Sequence, residues 1–318
     1  MTSRKISLEH VHSLAQKNTI ESAVQLLIAN ETFDHAIAYL VLSELSKHAS
    51  PLFGSVYAYI GKYDSSLRTR ELLHTLLREY EVGVAALNAM PADFRSSYEP
   101  SLLNDQEATF IQADMHDAPT VIVFTTKYNN FYTSNLVLAA LLVKSGCSVL
   151  FLKDTSNFAF LKGFSGLGWD WDSSMSSLVS WAAGRLGPIS VVGFSSGGYA
   201  ALLAATILKP DRYVGFSVRT DLSPASALPT PPLMATNELE QIPLRLRQNL
   251  APLIEKSEFS FSLYAGNDDT LDIAHASAVS HLPNVSLTVF PNTAHISVRP
   301  LFLSGRLTQA LHPCGAVT

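Results

Sequence analysis

Between residues 6 and about 92, apolar side chains recur at three- and four-residue intervals: Leu8, Val11 and Ala15; Ala23, Leu26 and Leu27; Phe33, Ile37, Leu40 and Val41; Leu72, Leu73, Leu76 and Leu77. That spacing stacks one apolar stripe per segment and predicts helices, with breaks near Asn30, at Ser50-Pro51 and at Gly61. From about residue 108 the texture changes to short β-branched and aromatic runs: TVIVFTT (120–126), SVLFLKD (148–154), ISVVGFS (189–195), YVGFSV (213–218), FSFSLYAG (259–266) and VSLTVFP (285–291). Helical patterns at 134–145, 173–186, 197–208 and 270–281 lie between most of them. Strands alternating with helices predict βαβ crossovers and an α/β fold with a mostly parallel sheet covered by helices on both faces. ATFIQADM (108–115) is a candidate leading strand.

The polar stretch 93–107, with Pro100, marks a junction, so the expected division is a helical region at 1–95 and an α/β domain at 96–318. The helical region resembles a degenerate tetratricopeptide-like array, although no fixed period with matching consensus residues can be laid on it. Pro224, Pro229, Pro231, Pro232 and Pro243 crowd residues 219–257. Proline removes ladder donors, so this span is read as a lid-like insertion or pocket wall between two strands.

Ile189 to Leu208 carries no charge over 20 residues, long enough to span a bilayer. Its order of preferences is β-branched, then Gly/Ser-rich, then Ala/Leu-rich, which is strand, tight turn and helix, so no transmembrane segment is expected. Hydrophobic residues make up 47% of the chain and charged residues 15%, against roughly 25% charged in an average soluble protein. With mean hydropathy at +0.18, a large core can form and global disorder is excluded. A formal net charge of −5 offers no basic field for phosphate backbones, so no nucleic-acid partner is expected. Two cysteines, Cys147 and Cys314, build neither a disulfide framework nor a Cys-rich zinc site. No HExxH or ligand-spaced Cys/His cluster occurs, so neither metal nor cofactor is expected. The opening MTSRKISLEHVHSLAQKN lacks the apolar core of a secretory signal, and the expected location is cytoplasmic.

Gly193-Phe194-Ser195-Ser196-Gly197 follows a predicted strand and opens a predicted helix. G-x-S-x-G in that setting makes a sharp elbow that exposes the serine at the sheet's C-terminal edge, where the helix N-terminus favours developing negative charge. A serine hydroxyl needs a base, and the elbow predicts a carboxylate and then a histidine downstream, each just past a strand. Asn267-Asp268-Asp269 follows the strand ending at Gly266, and Asn292-Thr293-Ala294-His295 follows the strand ending at Pro291. His295 alone among ten histidines holds that position. Asp269 is the leading acid, with Asp272 one turn into the next helix and Asp268 as alternatives.

GFSSGG at 193–198, the Gly266-to-Asp269 loop and Thr293-Ala294-His295, in that order, resemble an α/β-hydrolase domain over residues 108 to 318. The resemblance implies Ser195 as nucleophile, His295 as general base and Asp269 as the residue orienting the imidazole. It also implies one oxyanion donor at the Ser196 backbone N–H and a second from the loop around Thr126 and Lys127. Lipase-type members carry an H-G-G-type loop there, whereas this chain has Thr125-Thr126-Lys127-Tyr128. The activity implied is a serine esterase or thioesterase acting on a small-molecule acyl ester or an acylated glycan. Acyl transfer or deacylation on a glycan is an alternative, as is a scaffold that binds a protein partner through its N-terminal helices. Trp169-Asp170-Trp171-Asp172 suits either sugar stacking or an acidic helix N-terminus.

Overall fold

The computed structural model describes residue 24 and residues 35–63, 66–104, 108–156, 158–229 and 240–315. The chain divides into two compact units, Met1–Arg95 and Ser96–Thr318. In the first, α1 (His35–Lys47), α2 (Phe53–Tyr63) and α3 (Leu67–Asn88) bury Val41, Leu42, Leu45, Phe53, Val56, Ile60, Leu73 and Leu76 in a common core. The Ser50-Pro51 break separates α1 from α2 as expected, and Gly61 lies in the last turn of α2, which ends at Tyr63. Ser66 starts α3 by accepting the Thr69 N–H, the expected work of a serine N-cap. The apolar stripe through Leu8, Val11, Ala15, Ala23, Leu26, Leu27 and Phe33 lies outside the described residues. The polar junction is itself a helix in large part: α4 (Phe94–Leu103) runs through Pro100.

The second unit holds one seven-stranded sheet in the order β1-β3-β2-β4-β5-β6-β7. Its strands are β1 (Thr109–Ile111), β2 (Thr120–Phe124), β3 (Ser148–Leu152), β4 (Ile189–Phe194), β5 (Arg212–Phe216), β6 (Ser260–Gly266) and β7 (Val285–Phe290). β1 runs antiparallel to β3, and every other pairing is parallel. The crossovers carry α5 (Asn135–Lys144), α6 (Trp171–Ala183), α7 (Ser196–Leu208), α8 (Ala251–Glu255) and α9 (Thr270–Val279), and α10 (Arg299–Leu303) and α11 (Leu307–Leu311) follow β7. β2 and β3 are buried at all five positions, which requires cover on both faces. β7, at the sheet edge, alternates between partly buried and exposed positions over most of its length. The mostly parallel α/β sheet with crossover helices expected from the sequence is the architecture observed.

Register is what makes a site. Phe124 pairs with Gly193, Phe194 with Phe216, Phe216 with Tyr264 and Gly266 with Phe290. The carboxyl ends of these five parallel strands therefore stop within about two residues of their neighbours, and the segments leaving them gather along one edge of the sheet, where open α/β sheets form their ligand crevice. The stretch Ile189–Leu208 is β4, a one-residue turn and α7, and no described helix is long and apolar enough to cross a membrane. The Pro-rich span contains a 3₁₀ turn at Leu244–Leu246 and α8 among its described residues. The buried Tyr199 hydroxyl of α7 receives the Gln248 N–H at 2.9 Å and lies 2.9 Å from the Leu246 carbonyl oxygen, which ties that span to the helix behind the elbow. Asp170 caps α6 in a capping box with Ser173, and Trp171 is buried while Trp169 stands free. The WDWD segment thus forms a helix N-terminus, the second of its two readings.

Candidate active site

Ser195 is the single residue between β4 and α7, with φ 54° and ψ −119°. A side chain other than glycine at positive φ is strained and is held only when its surroundings dictate it. Here they do: the Ser195 N–H donates to the Phe216 carbonyl oxygen at 3.0 Å, and the Ser195 carbonyl oxygen accepts the Gly198 N–H at 3.0 Å. The flanking glycines are needed for space. A Cβ on Gly193 would lie 2.6 Å from Ala201 Cβ, and one on Gly197 would run into the Thr125 carbonyl oxygen.

His295 leaves β7 through a turn with Asn292 at φ 51°. Its backbone carbonyl is fastened by the Ser217 hydroxyl at 2.6 Å and by the Ser297 N–H at 3.0 Å. Its ring stacks on Phe194, with centroids 5.7 Å apart. Nε2 lies 2.7 Å from Ser195 Oγ, and Nδ1 lies 2.8 Å from Asp272 Oδ2. A carboxylate on Nδ1 holds the proton there and leaves Nε2 free to accept from the serine, which is the tautomer a general base requires.

Of the candidate acids, the structure brings Asp272, not Asp269, into hydrogen-bond contact with His295. Asp269 Oδ2 stands 3.8 Å from His295 Nδ1, beyond hydrogen-bond reach. Asp269 is instead the N-cap of α9, its Oδ1 accepting the N–H groups of Leu271 at 3.1 Å and Asp272 at 3.0 Å. The strand ends so close to the helix that the third residue after Gly266 is already its cap, a position that aspartate favours. Asp268 neither caps nor meets the histidine; its N–H donates to the Thr293 carbonyl oxygen. Asp272, in the first turn of α9, has a fully buried side chain held by Arg219 Nη1 at 2.6 Å as well as by His295. Burial pushes the Asp272 carboxyl up, but the hydrogen bonds and charges of His295 and Arg219 outweigh it and hold it below the usual carboxylate range.

The oxyanion side is also partly revised. Ser196 N–H is the first of α7 and has no carbonyl one turn back to meet. Lys127 comes beside it, its N–H donating to Ser196 Oγ at 2.6 Å. Thr126 does not offer a backbone donor, because its N–H closes a turn onto the Asn130 carbonyl oxygen at 2.7 Å. Asp269, Asp272 and His295 place ligand-type atoms within 4.8 Å of one another, the one such grouping among the described residues. Within that grouping, Asp272 is bonded to both Arg219 and His295. Arg219 and Ser217 escaped the sequence reading because that reading began the insertion at residue 219 and treated 213–218 as strand alone. The usable signal was their place, at the same strand-end edge as Ser195, Asp269 and His295.

No protein-family model matches the sequence, and none of the curated proteins does. Among solved structures, the chain is similar to a 2,6-dihydroxy-pseudo-oxynicotine hydrolase at 15% identity and TM-score 0.48, over 99% of this chain and 93% of that one. It is similar to the esterase domain of a Rhodothermus marinus protein at 15% identity and TM-score 0.45, over 65% of this chain and 92% of that one. A dienelactone hydrolase from Anabaena variabilis matches at 18% identity and TM-score 0.42, over 64% of this chain and 88% of that one.

Proposed function

We propose that the protein is a serine hydrolase that cleaves a carboxylic ester or thioester through an acyl-enzyme on Ser195. The observation that carries this reading is the unbroken chain Ser195 Oγ, His295 and Asp272, with contacts of 2.7 and 2.8 Å. In this reaction His295 Nε2 takes the Ser195 proton as Oγ attacks the acyl carbon. The resulting oxyanion is met by the Ser196 N–H at the positive end of α7 and by the Lys127 N–H, which must give up its bond to Ser196 Oγ to reach it. The imidazolium, steadied by Asp272, then returns the proton to the departing alkoxide or thiolate. Water enters, His295 removes its proton, attack on the acyl-enzyme releases the acid, and Ser195 is restored. A strained serine whose oxygen already meets a correctly tautomerised base supports catalysis over a scaffolding role, which needs neither.

The test is covalent labelling with a fluorophosphonate probe, alongside turnover of a panel of p-nitrophenyl esters and acyl thioesters of graded chain length. Label on Ser195, lost together with turnover in Ser195→Ala while the melting temperature stays within a degree or so, is the expected result. Retention of more than about a hundredth of kcat by Ser195→Ala on the best substrate overturns the assignment.

A further inference from the structure

Arg219 lies at the root of the Pro-rich span, just past β5, and it reaches the buried end of the acid–base chain. Its Nη1 donates to Asp272 Oδ1 at 2.6 Å, while the other oxygen of that carboxylate serves His295. The Asp272 side chain is fully buried and that of Arg219 is 12% exposed, so solvent screens the pair little. The next residue is locked to the same helix that carries the acid. Thr220 donates its N–H to His275 Nδ1 at 3.2 Å and its hydroxyl to the His275 carbonyl oxygen at 2.9 Å. Cation and carboxylate are therefore set by one rigid junction between the span and α9.

A second carboxylate stands ready. Asp269 uses Oδ1 to cap α9, and its Oδ2 is 3.8 Å from the same Nδ1 that Asp272 holds at 2.8 Å. A shift of about 1 Å would bring it into hydrogen-bond range. One imidazole N–H thus has two acids within reach, and Arg219 is bonded to only one of them.

We propose that Arg219 selects the orienting acid: it pins Asp272 against His295, offsets its charge, and leaves Asp269 as a helix cap. This inference rests on the serine-hydrolase reading, and Arg219 is a positioning residue because it acts through Asp272. The groups facing His295 are Asp272 and Asp269 from α9 and its cap, Ser195 and the Phe194 ring from β4 and the elbow, with Arg219 behind Asp272. His275 adds no charge nearby. Its Nδ1 accepts the Thr220 N–H, its Nε2 therefore donates to the Pro229 carbonyl oxygen at 3.1 Å, and burial, helped by the Arg219 charge, lowers its pKa against that hydrogen bond and the charges of Asp221 and Asp272. Without the Arg219 charge, two unopposed carboxylates would face the imidazole. They would favour its protonated form, and activity would be lost at a higher pH on acidification.

The experiment is a mutant cycle of Asp269→Asn with two neutral replacements, Arg219→Gln and Arg219→Met, so that loss of folding in one leaves the other readable. Values of kcat and KM are measured on a short p-nitrophenyl ester from pH 5 to 9, with Arg219→Lys as the charge-restoring control. Asparagine keeps the helix cap, so Asp269→Asn reports on charge and acid function alone. With Arg219 present it should cost less than about threefold in kcat, and in the neutral backgrounds at least about tenfold. The acidic limb of kcat/KM should also move up by about half a pH unit, and Arg219→Lys should reverse both effects. An equal cost of Asp269→Asn in all backgrounds overturns the proposal, whether or not the limb moves. Fluorophosphonate labelling separates the failures: an unlabelled parent protein sinks the hydrolase reading, while a labelled one with unchanged Asp269 dependence sinks the selection by Arg219 alone.

Discussion

The turn from β4 into α7 and the turn from β6 into α9 are built alike. Each follows a parallel strand, each places a functional side chain at the head of a helix, and each needs a glycine against which another backbone packs: Gly197 beneath Thr125, and Gly266 beneath Thr293 and Ala294. They differ in what decides the working residue. At the elbow, stereochemistry decides, since one residue stands between strand and helix and its φ of 54° aims it. At the acid turn, local stereochemistry gives Asp269 the cap, and the choice of Asp272 is made by partners at positions 219 and 295. On the proposed mechanism, a nucleophile is thus specified by its own few neighbours, an orienting acid by the tertiary fold.

The sharpest way to break that comparison is to neutralise the two acids separately. Asp272→Asn should lose on the order of 10⁴ in kcat, because the wrong tautomer of the histidine is then favoured. Equal or larger loss in Asp269→Asn, measured on the same ester, would return the acid to the cap position.

A middle-sized effect tests the shared feature. Gly197→Ala and Gly266→Ala should each cost about 1–3 kcal/mol in urea denaturation, since the added methyl meets backbone that cannot rotate away. Gly61→Ala, in α2 with nothing within 4 Å of the new Cβ, should instead gain up to about 1 kcal/mol from helix propensity. Three similar values would show that glycine at the turns answers to flexibility and not to space.

The smallest effect concerns acid. Asp272 is held below its ordinary range in the folded protein, so the unfolded chain takes up that proton first as pH falls. The stability it contributes is complete above about pH 5 and fades as pH drops through the folded value. The urea midpoint of the parent protein should exceed that of Asp272→Asn most at neutral pH and by less at pH 3.5. A gap that widens on acidification would mean that the carboxyl is not held ionised by its partners.

Much of this could be read from the chain because the deciding interactions are short. Alternating apolar runs predicted six of the seven strands, and the leading run at 108–115 contains β1. G-x-S-x-G predicted the elbow from residues that touch one another. The misread features turn on information the pattern does not carry. Arg219 and Asp272 are 53 residues apart, and no periodicity announces that pairing. Thr126 was lost as a backbone donor through one hydrogen bond to Asn130, a turn that its polar residues allow without requiring. Pro100 lies in the polar stretch that reads as a junction, yet α4 passes through it, because tertiary packing overrides a single unfavourable residue.

The chain leaves the sheet at Phe216 and re-enters it at Ser260, opposite Arg212 at the other end of β5, so β5 and β6 are neighbours whatever lies between them. Closing a loop grows costlier only slowly, about 0.6 kcal/mol for each doubling of its length. An evolving lineage can therefore lengthen, shorten or recompose the intervening segment while the strand ends leading to Ser195, Asp272 and His295 stay in register. The freedom is not complete. The three residues Ser217 to Arg219 include two that bond to the histidine loop or to the acid, so inherited variation should be tolerated beyond that root and purged within it.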